Sequence, residues 1–413
     1  MRVLLLCYRG NPFCGGQGIY IYNLSKELAK LGVAVDVITG PPYPDPMNEW
    51  AEVHRLDNLN MWAIKTKDIP YDKLARAYSP WNFVDYVLTR LHIFPEMQTF
   101  SMRAFFYVKK LLKTRSYDII HDVNSIGWGL IPMKGFGIPI ITTIHHPLTK
   151  DREADLMMAP TLWTKIAVLL FYPIIMQRIV INSIHKVITS FNEGVGELQR
   201  AFGLKKEKIT VVYNGMDTDA FQNTGEKRDT HRILFVGNTE DFKKGLIYLF
   251  EAMTMLPENI KLLIVDDGPP KKLSAAGQIK KFGLEDRVEF TGKVDLEVLV
   301  SLYSKAPLVV MSSLFEGFGL PAVEAMSCKT PVVVTRAGAL DEVVDDNCGI
   351  KVPMKDPKAL SDAIIKLLND AELRKQMGEK GRVRAVENFS WTSCAKNTLA
   401  VYESVIKEYR GKL

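Results

Sequence analysis

The spacing of apolar residues alternates between strand-like runs and helical patterns from the start of the chain. The apolar run Val3–Tyr8 is followed by a glycine-rich loop, by Ile19–Leu31 with apolar residues at helical spacing, and by the β-branched run Val33–Thr39. The order strand, loop, helix, strand is typical of a parallel α/β unit. Because these runs are apolar on both faces, we expect a sheet covered by helices.

The alternation continues and then restarts after His231. In the first half, further strands are predicted at Ile119–Ile120, Pro139–Ile144, Val187–Thr189 and Ile209–Val212. In the second half, a helix is predicted at Gly245–Met255 and strands at Arg232–Gly237, Lys261–Val265, Val288–Phe290, Leu308–Met311 and Val332–Thr335. The polar segment Asp217–His231 lacks periodicity and is the best candidate linker.

These patterns predict an α/β fold with two doubly wound, Rossmann-like domains, residues 1–220 and 230–390. A tail, residues 391–413, follows them. Apolar residues recur in it at helical spacing, which predicts a packing helix; they are Trp391, Ala395, Leu399, Tyr402 and Ile406.

Composition agrees with a two-domain globular protein, since the chain has 413 residues, 47% of them hydrophobic and 24% charged. Its longest stretch without Asp, Glu, Lys or Arg is the glycine-rich 10–25, and Arg9 interrupts the apolar run at the N-terminus. These features favour a cytoplasmic location over a spanning helix or a signal peptide. Five scattered cysteines, none in a Cys-x-x-Cys pair, are expected to be reduced and mostly buried, with neither disulfides nor zinc.

Charge is uneven between the halves. Residues 1–215 carry 25 Lys and Arg against 18 Asp and Glu, a net charge of +7, whereas residues 216–413 carry 28 against 29, a net charge of −1. A mildly basic first half favours an anionic partner surface, but its charges are too dispersed for a nucleic-acid site.

The strongest chemical motif is the loop Met311–Met326, which joins a predicted strand to a predicted helix that begins near Pro321. Gly317 and Gly319 let the backbone approach a ligand, and free amides at a helix start favour phosphate. Two acids, Glu316 and Glu324, bracket the loop, and we expect Glu316 to face solvent. A carboxylate beside a phosphate makes sense when it accepts hydrogen bonds from ribose or sugar hydroxyls, so the loop predicts a nucleotide-sugar site.

Three weaker signals also follow predicted strands. Lys243 and Lys244, in the loop Gly237–Gly245, are positioned to reach a pyrophosphate. The Cys14–Gly18 loop contains Gly15 and Gly16, which permit close approach of a phosphate, although a full dinucleotide motif is absent. His145 and His146 follow the strand Ile140–Ile144, where a substrate-contacting role is expected.

With these motifs the sequence resembles the retaining glycosyltransferases of family 4, whose GT-B architecture has two Rossmann-like domains facing a cleft. Glu316 and Glu324 match the family's Glu-x7-Glu signature, and Gly15-Gly16 matches its N-terminal glycine loop. Asn214-Gly-Met-Asp217 with Phe221, and Val265-Asp-Asp-Gly-Pro269, resemble two further family stretches.

The resemblance implies a role for each matched residue. Glu316 and His145 would contact the donor sugar, Glu324 would bind the ribose, and Lys244 would neutralise the diphosphate. The backbone of Phe318, Gly319 and Leu320 would hold the sugar and diphosphate, and Lys293–Val294 would lie along the base. Asn238 stands where the family usually has Arg. Its side chain can hydrogen-bond a phosphate oxygen but brings no charge. More of the diphosphate binding is therefore expected from Lys243 and Lys244.

The resemblance further implies retaining transfer of a sugar from a UDP- or GDP-sugar to an acceptor without metal or cofactor, and a C-terminal helix packed back toward the first domain. A sugar-nucleotide epimerase on the same architecture and a non-catalytic nucleotide-sugar-binding scaffold remain alternatives. The acceptor is a lipid, a lipid-linked sugar or a soluble metabolite. The apolar segment Thr161–Ile181, too short to span, predicts either an interfacial patch on the inner face of an anionic membrane or a buried helix pair.

Overall fold

The computed structural model describes residues 1–10, 16–58, 79–91, 93–94, 96–145, 147–266 and 274–411. The chain divides into two compact units. The first consists of Met1–Tyr213 together with Cys394–Leu413, and the second of Asn214–Ser393. Each unit has one parallel sheet flanked by helices, which confirms the predicted α/β class.

In the described part of the first unit, seven parallel strands lie in the order β3-β2-β1-β4-β5-β6-β7. Their bounds are β1 Arg2–Cys7, β2 Ala34–Thr39, β3 Glu52–Arg55, β4 Ile119–Val123, β5 Ile140–Ile144, β6 Lys186–Thr189 and β7 Ile209–Val211. Every residue of β4 and β5 is buried, as expected for strands covered by helices on both faces.

Helices surround this sheet. They are α1 Gly16–Lys30, α2 Pro80–Arg90, α3 Glu96–Leu111, α4 Leu130–Met133, α5 Leu148–Met158, α6 Leu162–Phe171, α7 Ile174–Ser183 and α8 Asn192–Phe202. One face of the sheet packs on α3, α7 and α8 through Phe100, Val180 and Phe202, among others, in a single core.

The second unit has a six-stranded parallel sheet in the order β10-β9-β8-β11-β12-β13, counted over its described residues. The strands are β8 Arg232–Val236, β9 Lys261–Val265, β10 Val288–Phe290, β11 Val309–Met311, β12 Val332–Thr335 and β13 Gly349–Val352. The helices are α9 Leu246–Met253, α10 Ser274–Phe282, α11 Leu296–Lys305, α12 Leu320–Ser327, α13 Leu340–Val343, α14 Pro357–Asn369 and α15 Ala371–Phe389.

The strand order of this sheet reverses between β8 and β11. From β8 the chain builds outward through β9 and β10, and from β11 it builds outward through β12 and β13 on the other side. In open parallel sheets, ligands bind beyond the carboxyl ends of the strands at such a reversal. The loops that follow β8 and β11 are therefore the favoured place for a site in this unit.

The last helix, α16 Trp391–Arg410, lies mostly in the first unit. Its Tyr402 hydroxyl lies 2.6 Å from Nδ1 of His121 on β4, and Arg410 donates to Asp118 at 2.7 Å. Burial lowers the pKa of His121 to about 3, so its imidazole is neutral, and Nε2 lies 2.7 Å from the Thr143 hydroxyl. The predicted packing helix thus covers a buried polar group of the first sheet.

The apolar segment forms two helices, α6 and α7, separated at Tyr172–Pro173. By length and composition alone, the segment Leu162–Ser183 would suffice to cross a membrane, whereas the sequence analysis expected it to be too short. Each of the two helices has ten residues and is only about 15 Å long. The buried-pair alternative is wrong for α6, which has no buried residue. It holds for one face of α7, where Val180 and Ile181 are buried.

The predicted linker Asp217–His231 contains no helix or strand and belongs to the second unit. Arg228 donates to the carbonyl of Lys329 at 2.6 Å, and Arg382 donates to the carbonyl of Thr218 at the same distance. Four cysteines are free and buried as expected, and Cys14 lies outside the described residues.

Candidate active site

The loop of residues 312–319, which contains Glu316 and is called the acidic loop below, connects β11 to α12 where the strand order reverses. Gly319 has φ +84°, and a Cβ there would lie 2.5 Å from Cδ2 of Leu340, so the turn requires glycine. Pro321 sits in the first turn of α12, where no backbone donor is needed. The Cβ position of Gly317 faces open space. Backbone is therefore accessible at Gly317 and tightly held at Gly319.

Glu316 is buried at 9% exposure, so the expectation of a solvent-facing acid is wrong. Its Oε1 accepts hydrogen bonds from Nζ of Lys244 at 2.5 Å and from the Ser313 hydroxyl at 3.0 Å. Its main-chain carbonyl accepts from the amide of Ala339 at 3.0 Å. Pairing with a cation compensates for the burial of this carboxylate.

Glu324 lies on α12, one helical turn beyond the loop. Its Oε2 accepts a 2.6 Å hydrogen bond from the hydroxyl of Tyr303 on α11. Burial raises the pKa of Glu324, and the bond from Tyr303 acts in the opposite direction. Glu324 is half-buried, and the part that stays exposed can accept hydrogen bonds from a ligand.

The loop of residues 237–245, which contains Lys243 and Lys244 and is called the basic loop below, follows β8 and lies beside the acidic loop. The side-chain carbonyl of Asn238 accepts from the amide of Glu240 at 2.8 Å, so it caps a local turn. Because a phosphate oxygen accepts hydrogen bonds, the proposed contact of Asn238 with phosphate uses its side-chain amide nitrogen as the donor. Lys243 is exposed, whereas Lys244 is partly buried against Glu316.

Three contacts fix the basic loop to its neighbours. The amide of Leu314 donates to the carbonyl of Lys243 at 2.6 Å, and the hydroxyl of Ser312 donates to the carbonyl of Lys244 at 2.9 Å. On the other side, the amide and the hydroxyl of Thr239 donate to Oδ2 of Asp266, which directly follows β9. Lys244 and Glu316 are therefore carried by loops that hydrogen bonds hold to each other and to the end of β9.

The remaining predicted residues lie outside this cluster of contacts. Phe318 is buried with its ring against Phe389, and Leu320 is exposed at the start of α12. Lys293 and Val294 follow β10, at the same edge of the sheet, with Lys293 exposed and Val294 half-buried.

Two predicted residues are described in the first unit. Gly16 begins α1, is exposed, and has open space at its Cβ position. His145 directly follows β5, with its ring edge-on to Tyr20 at 4.7 Å. Gly15 and His146 lie outside the described residues.

Sequence reasoning did not single out Ser313 or Tyr303. Ser313 stands three residues before Glu316, a spacing that suits a turn, and its hydroxyl could have been suspected on that ground. Tyr303 sits in an ordinary helical pattern 21 residues before Glu324, and no local signal indicates the pairing.

The described residues contain one group with the spacing of metal ligands, formed by Asp36, Glu52 and His54 at the edge of the first sheet. Arg115 donates to Asp36 at 2.8 Å and to both oxygens of Glu52. The guanidinium already pairs with both carboxylates, and Arg2 lies 3.4 Å from Asp36, so the group is better described as a structural ion-pair network than as a metal site.

Comparison with known proteins gives consistent matches over the whole chain. A family model described as "Glycosyltransferase Family 4" matches residues 14–220, and one described as "Glycosyl transferases group 1" matches residues 216–384. A protein named MMP alpha-(1->4)-mannosyltransferase from Mycolicibacterium hassiacum is 34% identical over 98% of each chain. A D-inositol 3-phosphate glycosyltransferase from Corynebacterium glutamicum is 27% identical over 98% of this chain and 97% of its own.

Solved structures agree at the level of the fold. Sucrose-phosphate synthase from Thermosynechococcus elongatus superposes with a TM-score of 0.68 at 24% identity, covering 98% of this chain and 99% of its own. Anabaena HepE in complex with UDP superposes with a TM-score of 0.69 at 17% identity, covering 98% and 100%. Both likenesses concern the fold alone.

Proposed function

We propose that the donor is a UDP- or GDP-sugar, because the chain belongs to glycosyltransferase family 4 and is a glycosyltransferase. The sugar passes to an acceptor hydroxyl with retention of configuration and without a metal. Among sugars, mannose is the first to test, because the relative from Mycolicibacterium hassiacum is named a mannosyltransferase. A sugar-nucleotide epimerase and a non-catalytic scaffold are less favoured.

The observation that carries this proposal is the contact between Lys244 and Glu316. A cation for a diphosphate and an acceptor for sugar hydroxyls lie 2.5 Å apart, between the loops that follow β8 and β11. A nucleotide sugar presents these two complementary groups next to each other. Glu324, 8 residues after Glu316 and held by Tyr303, supplies an acceptor for ribose hydroxyls.

The chemistry then rests on charge stabilisation. As the bond to the leaving nucleoside diphosphate breaks, negative charge develops on the phosphate beside Lys244 and the amides of the acidic loop. Such preorganised groups are typically the largest catalytic term. The residues of this site offer no evident covalent nucleophile, so retention is assigned to a front-side substitution in which the leaving phosphate helps deprotonate the acceptor.

For the acceptor, we propose a lipid or glycolipid at the inner face of a membrane, with the enzyme cytoplasmic and peripheral. The support is the exposed side of α6. At 100° per residue, its exposed apolar residues fall within an arc of about 120°; they are Leu162, Trp163, Ile166, Leu169 and Leu170. Met157 and Met158, at the end of α5, are more than four-fifths exposed. A stripe of this kind suits the interface of a lipid bilayer.

The donor is tested by thermal shift against a panel of UDP- and GDP-sugars, followed by a transfer assay. A donor that binds the folded protein raises its melting temperature. We expect one base to be preferred, and free nucleoside diphosphate to accumulate only when an acceptor is present. Conversion of the donor sugar without acceptor would favour an epimerase, and binding without turnover would favour a scaffold.

The lipid surface is tested by co-sedimentation with vesicles containing anionic lipid. We expect binding at about 0.05 M salt and partial release at about 0.5 M, because screening shortens the range of the basic charges. Trp163→Ser with Leu170→Ser should reduce binding, with little change in melting temperature. Leu296→Ser, at a similarly exposed site in the second unit, is the matched control. Absent binding, together with transfer to a soluble acceptor such as D-inositol 3-phosphate, would contradict this part of the proposal.

A further inference from the structure

The contact between Lys244 and Glu316 is a closed ion pair. The two side chains are only 20% and 11% exposed, and Nζ of Lys244 lies 2.5 Å from Oε1 of Glu316. The same oxygen accepts from the Ser313 hydroxyl. The ammonium group of Lys244 is therefore already paired with a carboxylate, that of Glu316, before any ligand binds.

Close packing and hydrogen bonds of the backbone hold the two loops that carry the pair. A Cβ at Gly245 would lie 2.2 Å from the carbonyl of Ser312, and Leu314 donates to the carbonyl of Lys243. The carbonyl of Glu316 is bonded to the amide of Ala339. Lys244 can thus exchange partners chiefly by rotation of the two side chains.

We propose that Glu316 determines the selectivity of the site for nucleotide sugars over free nucleoside diphosphates, an inference that rests on the proposed function. A diphosphate that reaches Lys244 displaces Glu316 and lies beside its negative charge. The hydroxyls of an attached sugar donate hydrogen bonds to the displaced carboxylate and offset this cost. A free nucleoside diphosphate has no such donors, so Glu316 weakens the binding of the product and favours its release.

The experiment measures the affinities of UDP, GDP, uridine and guanosine by calorimetry. Glu316→Gln keeps the shape of the side chain and removes its charge. It should tighten the binding of the preferred nucleoside diphosphate by about 5- to 20-fold, because the group that competes for Lys244 and lies beside the bound diphosphate loses its negative charge. The affinity of the nucleoside should not change. Glu372→Gln, which removes an exposed carboxylate on α15, is the matched control and should change neither affinity.

A double-mutant cycle separates competition from simple repulsion. In the Lys244→Ala background, the gain from Glu316→Gln should become clearly smaller, because no lysine remains for Glu316 to occupy. An equal gain in both backgrounds, or no gain in a Glu316→Gln protein with an unchanged melting temperature, would overturn the inference. If Glu316→Gln is destabilised, Glu316→Asp takes its place. Its shorter side chain should not reach Lys244, so it should also tighten the binding of the nucleoside diphosphate.

Failure of the inference is distinct from failure of the proposed function. A wild-type protein that binds no nucleotide sugar and neither diphosphate would refute the proposed donor. A wild-type protein that binds the donor, with unchanged diphosphate affinity after Glu316→Gln, would refute only the selectivity assigned to Glu316.

Discussion

The hydroxyl of Tyr303 donates a 2.6 Å hydrogen bond to Oε2 of Glu324. Tyr303 is fully buried on α11, and its ring packs edge-on near Phe221. The bond joins two neighbouring helices and fixes the orientation of a carboxylate to which we assign the donor ribose. Tyr303 is thus a positioning residue, because it acts through Glu324.

Tyr303→Phe should make donor binding more sensitive to acid. Burial raises the pKa of Glu324, and the Tyr303 bond opposes that rise. Donor affinity should fall as the pH drops through the raised pKa, and loss of the hydroxyl should move this fall to higher pH. We expect KM for the donor to rise more than kcat falls, measured between about pH 4.5 and 8. Tyr248→Phe, on α9, is the control; identical pH profiles would contradict the assigned role.

Glu316→Gln should reduce transfer by about 100-fold or more if the carboxylate interacts mainly with the transition state. The fold should persist, because glutamine has the same shape and can still accept from Lys244 and Ser313. Initial rates and melting temperature are measured together, with Glu372→Gln as the control. Near wild-type turnover would remove Glu316 from the catalytic set.

Lys244→Ala and Lys243→Ala should differ in their effect on diphosphate binding. Lys244 lies partly buried at the site, whereas Lys243 is exposed. Loss of a charge-assisted contact costs about 1.5–3 kcal/mol, so Lys244→Ala should weaken nucleoside diphosphate binding by roughly 10- to 100-fold and leave the nucleoside unaffected. Lys243→Ala should cost a few-fold at most. Equal losses for diphosphate and nucleoside in calorimetry would mean that Lys244 does not contact the phosphates.

Gly338→Ala should damage the site through the backbone of Glu316. Gly338 has φ +57°, and a Cβ there would lie 2.4 Å from the carbonyl oxygen of Glu316. Gly292 has φ +73° with open space at its Cβ position, so Gly292→Ala experiences only the backbone strain, of about 1–3 kcal/mol. We expect both variants to melt earlier and only Gly338→Ala to lose transfer activity strongly. Equal activities would show that the position of Glu316 tolerates the displacement.

Asp36 should contribute stability that is lost in acid. Burial opposes its ionisation, but the imidazole of His54, 3.6 Å away, and the hydrogen bonds from Tyr117 and Arg115 outweigh burial and lower the pKa of Asp36 to about 2. A lowered pKa stabilises the fold above the unfolded value of about 4, and this contribution disappears as the pH falls toward about 2. Asp36→Asn should therefore cost about 2 kcal/mol near pH 7 and little near pH 2, measured by denaturant unfolding. A cost independent of pH would contradict this account.

The fold was largely predictable because its central strands are apolar on both faces. The predicted strands near Val3, Lys261 and Val332 lie within one or two residues of those observed. The strands β3 and β13 were missed. Both lie at the edge of a sheet and are only partly buried, so polar residues such as Glu52 and Lys351 interrupt their apolar pattern.

The positions of the candidate residues in loops after strands were predictable, but the contacts between them were not. Loop position after a strand located Glu316 and Lys244, yet nothing in the spacing indicates that they pair across 72 residues. The same limit applies to Tyr303 and Glu324, and to His121 and Tyr402, which are 281 residues apart. Such contacts arise from strand order, which a single sequence does not reveal.

The placement of α16 has a consequence for synthesis on the ribosome. Residues up to Tyr213 emerge before the second unit, whereas the helix that covers His121 emerges only after about 180 residues of the second unit. At roughly 5–20 residues per second, the nascent first unit waits about 10–40 s for its final helix. During that interval the His121 imidazole lacks its contact with the Tyr402 hydroxyl, so the first unit completes its fold only after the second unit has been synthesised.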